Sequence, residues 1–338
     1  MKASGKTPAG SLLNTLALTA IIMASSCAVD EGAGEMTGFS IPLEIVTRGT
    51  VVPPEDNIND INVFVFSEDG LIEESFYLSS RQLEHSGDTV RTCVTVACGT
   101  ESRIAVCANF GYRVTGIGNL RELAEYRFPL AYPDEISKGI PCSGISEGVI
   151  EPKKKLKVEL ERMMAKVTVK IDRRALDNDV NVRFTSARVC NSPHSATVFG
   201  DSFARHRGDV FSSGYILSGR ETDPLNSDWH SGVSEEVTLY LLENLQGDLL
   251  PEDTDEHGKV LSGLEADRCS YIELQAEYIS SARHTPAGEH IYYRFYPGAS
   301  PRNFDIRRNT VYSYTVVLSG SGLDAPDWLL DISGLADR

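Results

Sequence analysis

Any chemistry in this chain has to come from a few dispersed side chains, and the first of them is Cys27. It follows Ala24-Ser25-Ser26 and the apolar run Leu12 to Met23, with Lys2 and Lys6 ahead of that run. A positive start, a short apolar stretch and small residues compose a secretory leader, residues 1–26, whose cleavage site lies directly before the cysteine. The apolar run falls short of the ~20 residues a membrane-spanning helix needs. The other cysteines are Cys93, Cys98, Cys107, Cys142, Cys190 and Cys269, and their spacing matches no zinc site. Cys93 and Cys107 stand among valines and alanines, where a thiol reads as a small buried apolar residue. His194, His206, His230, His257, His284 and His290 are scattered without a paired motif. No Gly-x-Ser-x-Gly elbow or phosphate-binding glycine loop occurs. Arg207-Gly208-Asp209 spells an integrin-binding tripeptide, but a match this short arises readily by chance in a chain of this length and reads as a chance occurrence. The acidic run Glu252 to Glu256 lacks the alternating ligands of a calcium loop and reads as solvated. These observations predict a protein that is not an enzyme and holds no metal or cofactor.

The elements that carry these residues read as strands. Phe39, Ile41, Leu43 and Ile45 alternate with polar residues, and Pro42, which has no N–H, places that strand at a sheet edge. Ile61 to Phe66 is apolar throughout and turns at Ser67-Glu68-Asp69-Gly70 into Leu71-Ile72. Val90 to Cys98 and Arg103 to Ala108 read as a hairpin across residues 99–102. Leu120 to Tyr126 is the clearest short helix. Leu156, Val158 and Leu160 alternate in a strand that ends near Arg162, and a second set follows. It comprises Ala165 to Ile171, Val182 to Cys190, Val237 to Leu242, Tyr271 to Tyr278, Ile291 to Tyr296 and Val311 to Leu318. Gly200 to Ser234 is polar and reads as long loops. Trp328, Leu330 and Ile332 alternate like one more strand. The pattern is all-β sandwich, with an N-terminal domain over residues 27–161 and a C-terminal domain over 162–338. The net charge of −16 argues against nucleic acid and anionic lipid surfaces as partners.

The leader resembles a bacterial lipoprotein signal, in which the cysteine after the small residues is acylated, as with palmitate. Further fragments resemble the fimbrillin superfamily of Bacteroidales, the type V pilins. They are Ile61-Asn62-Val63-Phe64-Val65-Phe66-Ser67-Glu68-Asp69-Gly70, Arg103-Ile104-Ala105-Val106-Cys107-Ala108-Asn109 and Ile140-Pro141-Cys142-Ser143-Gly144. Leu160 to Val167, Tyr240 to Gly247 and Arg308-Asn309-Thr310-Val311-Tyr312 continue them in order.

The resemblance implies two tandem transthyretin-like β-sandwich domains and an outer-membrane lipoprotein anchored at Cys27. It also implies partners that are other pilin subunits, joined by strand exchange in a cell-surface fimbrium, with a host or bacterial surface receptor beyond them. In shaft subunits of that family an arginine-directed protease removes the N-terminal strand, and a neighbour's C-terminal segment fills the groove. Arg48-Gly49 corresponds to such a processing site, or else starts a turn. Trp328, Leu330 and Ile332 correspond to a donor strand, or else pack within their own domain. Two other roles stay open: an anchor subunit that keeps its lipid, and a surface lipoprotein that binds glycan through loops such as Gly200 to Ser234.

Overall fold

The computed structural model describes residues 39–47, 57–86, 89–96, 101–130, 136, 139–149, 155–227, 232–255, 257–283, 289–324 and 326–333. Cys27, the leader and Arg48-Gly49 lie outside these residues, as do Cys98, His230 and His284.

In the first half, β1 (Phe39–Thr47), β2 (Asp60–Phe66), β3 (Ile72–Ser79), β4 (Glu84–Ser86), β5 (Thr89–Val96) and β6 (Glu101–Ala108) precede helix α1 (Leu120–Glu125). After it come β7 (Arg127–Pro129), β8 (Cys142–Val149) and β9 (Leu156–Arg162). Eight of these strands follow the order β3-β2-β6-β8-β9-β1-β5-β4. β8 and β9 pair only at Cys142 with Arg162 and Ser143 with Glu161, so the sheet bends there and its flaps close on one core. Ile41, Leu43 and Ile45 of β1 meet Val158 and Leu160 of β9 in that core, opposite Ile61, Val63 and Val65 of β2 and Ile104 and Val106 of β6. This is the face-to-face packing of a sandwich.

The second half holds β10 (Met164–Leu176), β11 (Val180–Pro193), β12 (Ser195–Thr197), β13 (Val210–Ile216) and β14 (Val237–Leu242). It ends with β15 (Tyr271–Ser280), β16 (Glu289–Phe295), β17 (Val311–Gly320) and β18 (Asp327–Ser333). Two four-stranded sheets, β14-β10-β17-β18 and β13-β11-β15-β16, enclose a core that includes Val169, Ile171, Phe184, Leu274, Tyr312 and Val316.

A third core joins the halves. Phe64, Phe66, Ala105 and Cys107, on the reverse faces of β2 and β6, pack with Leu123, Phe128, Met163, Met164, Val198 and Leu242. Strand β2 is therefore buried on both faces, which is why it is apolar without alternation. Pairing of β7 with β12, Phe128 opposite Ala196, ties the halves through backbone as well.

Four expectations need correction. β1 is interior, antiparallel to β5 and parallel to β9. Pro42 is tolerated because the β9 pairing begins one residue later, at Leu43, where the missing N–H no longer matters. β5 and β6 form no hairpin: β5 pairs with β1 and β4, and β6 with β2 and β8. The two strands lie in opposite flaps, a separation that local alternation does not encode. The interval 200–234 contains β13, whose polar serines lie on an edge strand and mimic loop composition. Cys93 is exposed, because its side chain alternates away from the buried Val94.

Candidate interaction site

The residues of β1 divide cleanly by parity. Ile41, Leu43 and Ile45 are at most 1% exposed, while Pro42 and Glu44 point away from that core. Glu44 receives a 3.1 Å hydrogen bond from Lys155 and lies 3.3 Å from Arg91. These contacts hold its carboxyl below the usual glutamate range, with the Lys155 hydrogen bond the main cause. β1 is thus fastened to the β9 side and the β5 side by backbone pairing, with a charge contact reaching to each. Thr47 is the last described residue before Arg48.

β18 is held differently. Among the described residues it ends its sheet and pairs with β17 alone, Trp328 opposite Val316, Leu330 opposite Tyr314 and Ile332 opposite Tyr312. Ile332 packs against the second-half core, whereas Leu329 is 63% exposed and Leu330 36% exposed. The turn into β18 uses Gly320 and Gly322 at φ 53° and 68°, a left-handed conformation that glycine adopts without steric penalty. The Tyr293 hydroxyl donates to the Gly322 carbonyl at 2.6 Å and pins that turn. β1 and β18 lie in different sheets of different halves, so the structure does not bring these two candidate segments together.

The remaining sequence motifs hold themselves in place. Asp209 of the Arg-Gly-Asp tripeptide accepts from the backbone N–H groups of Arg205 and His206 at 2.9 and 3.3 Å, turning its carboxylate onto its own loop. Glu252 of the acidic run pairs with Arg302 at 3.3 Å. Burial pushes the Cys107 thiol up, and the Cys269 thiol up to about 12. Neither is a ready nucleophile. Among the described residues no group of three His, Cys, Asp or Glu could hold a metal ion.

One feature escaped sequence reasoning. Arg308 and Glu243, respectively 7% and 1% exposed, pair at 2.8 Å. The same guanidinium donates to the carbonyls of Thr197, Val198 and Gly200. A buried pair of this kind is structurally critical because removing one partner strands the other charge. Its signal was present in the fragments Glu243-Asn244 and Arg308-Asn309, but nothing in sequence connected them.

A domain of unknown function, DUF4906, matches residues 239–316. No curated protein matches the chain. Among solved structures, the tip fimbrial protein Mfa3 of Porphyromonas gingivalis, in a C-terminally truncated form, superposes with a TM-score of 0.54 at 14% identity, over 87% of this chain and 99% of its own length. The fimbrilin FimA of Porphyromonas gingivalis W83 gives 0.51 at 11% identity, over 86% of this chain and 96% of its own. A Bacteroides eggerthii protein described as a candidate for cell adhesion gives 0.54 at 14%, over 89% and 98%. The chain therefore shares the all-β sandwich fold of Bacteroidales fimbrial proteins.

Proposed function

We propose that this protein is a structural, non-enzymatic subunit of a cell-surface fimbrium, tethered to the outer membrane at Cys27 and assembled by strand complementation, with the halves meeting at residues 161 and 162 as its two domains. The observation that carries the reading is β1. It is one segment whose removal would open a groove between β9 and β5 lined by the partners of Ile41, Leu43 and Ile45. Unpaired strand edges beside exposed apolar core are the conditions under which another chain adds a strand. Cutting after Arg48 would create them, and the edge strand β18, with Trp328, Leu330 and Ile332 alternating along it, is the segment proposed to fill them in a neighbour.

The test is direct. Exposure of the exported protein to an arginine-specific protease should yield a product beginning at Gly49 and ladders of multimers on gels. Arg48→Ala should yield neither. Cys27→Ser should abolish acyl labelling of the precursor. Retention of β1 and lipid in the mature protein would favour an anchor role, and an uncleaved monomer that binds immobilised polysaccharide would favour the glycan-binding role.

A further inference from the structure

The second sandwich ends on one side in two strand edges, β16 of one sheet and β18 of the other. Both lie along the same margin. Phe295 and Tyr296 share a cavity of about 220 Å³ with Leu330 and Ile332, and Tyr293 bonds the turn that leads into β18. Phe295 and Tyr296, at the C-terminal end of β16, meet Leu330 and Ile332 toward the C-terminal end of β18 in that cavity, while His290 and Ile291, at the start of β16, line a second cavity with residues 322–324 and Pro326, which lead into β18. The strands therefore run in the same sense.

Their outward residues are complementary. Along β16, His290, Tyr292 and Arg294 are exposed and alternate with inward-facing residues. Along β18, Leu329 and Asp331 occupy alternate positions and are exposed. Along β16 the aromatic Tyr292 precedes the base Arg294, and along β18 the aliphatic Leu329 precedes the acid Asp331. Arg294 also has charge to spare. Glu273, its partner at 2.8 Å, is shared with Arg188 at 2.7 Å, so two guanidiniums face one carboxylate and a second carboxylate is favoured beside them. In a protein of net charge −16, two copies repel on average, and a basic edge is where an acidic strand of another copy can approach.

We propose that two copies of the uncleaved protein associate edge to edge, β18 of one lying parallel to β16 of the other, with Asp331 beside Arg294 and Leu329 beside Tyr292. Because both edges share a margin, a two-fold axis along the strands makes the contact twice, each copy giving β18 and receiving on β16. This goes beyond the assembly reading: β18 stays on its own sheet, and the dimer holds it at home until it is donated.

Sedimentation of the exported, uncleaved protein over a concentration series tests the contact. A concentration-dependent dimer is expected, and Arg294→Glu or Asp331→Arg should each weaken it by about tenfold or more. The two single variants mixed, or the double variant carrying both reversals, should restore it, since each Glu then meets an Arg. Both positions are exposed, and unchanged melting temperatures show that each variant folds. Wild-type protein that remains monomeric overturns the proposal. So does a dimer indifferent to both reversals, or one that neither the mixture nor the double variant restores. None of these outcomes depends on cleavage at Arg48, so the ladder assay is decided separately.

Discussion

β1 and β18 are both single strands of seven to nine residues with alternating apolar positions, yet the fold treats them in opposite ways. β1 is inserted between two strands and contributes three side chains that are at most 1% exposed. β18 caps a sheet, is paired on one side, and leaves Leu329 and Leu330 facing solvent. A strand bonded on both sides is part of the core it completes, whereas a strand at an edge is an addition to a core largely made without it. The contrast suits a segment whose loss would create a vacancy and another that could leave without destroying its own domain.

The largest effect should follow from deleting β1. Ile41, Leu43 and Ile45 each contribute about 1.5–3 kcal/mol when fully buried, which together is comparable with a typical domain stability of about 5–15 kcal/mol. Protein cut after Arg48 should lose cooperative unfolding of its first half by calorimetry, or recover it only when a strand is supplied. A cut monomer that melts like the intact chain would break the comparison. Deleting β18 by truncation after Gly322 should be milder, lowering the stability of the second half while the first half melts unchanged. Single substitutions sharpen the same contrast. Leu43→Ala should destabilise by about 2–5 kcal/mol through the cavity it leaves, and Leu329→Ala should change stability by no more than about 0.5 kcal/mol, both read from denaturant unfolding.

Most strands were legible because their faces differ. Val237 to Leu242 coincides with β14, and the turn through Gly70, at φ 75°, was readable from its residue types. Pairing was less legible than existence. The polarity of β5 shows that one face is solvated but not which strand lies beside it, and Pro42 signals a missing donor but not that the neighbour begins one residue on. β13 was read as loop because Ser212-Ser213-Gly214 at its centre interrupt the apolar residues at its two ends. The core joining the halves was hidden for another reason. Met163 and Met164 look like an interruption between strands, and only the tertiary fold shows that Phe64, Phe66 and Cys107 are waiting for them. As for the candidate segments, their alternation could be read in sequence, but their interior and edge positions are long-range properties.

The smallest effect concerns charge on β1. The Lys155 hydrogen bond, aided by the positive charges of Lys155 and Arg91, keeps the Glu44 carboxyl below its ordinary value in the folded chain. A group whose pKa is lowered by folding stabilises the fold above its unfolded pKa, and that contribution is lost as pH falls through the folded value. Acid should therefore loosen the polar face of β1 while leaving Ile41, Leu43 and Ile45 in place. Hydrogen exchange of the β1 amides, compared between wild type and Glu44→Gln, isolates the contribution from other carboxylates that titrate in the same range. At neutral pH the variant should exchange faster, and the difference should shrink as pH falls below the usual glutamate range. The exposed contact is screened by solvent and salt, so the difference at neutral pH should also narrow at high ionic strength. A gap between the two proteins that persists undiminished in acid would show that Glu44 holds β1 through packing rather than charge.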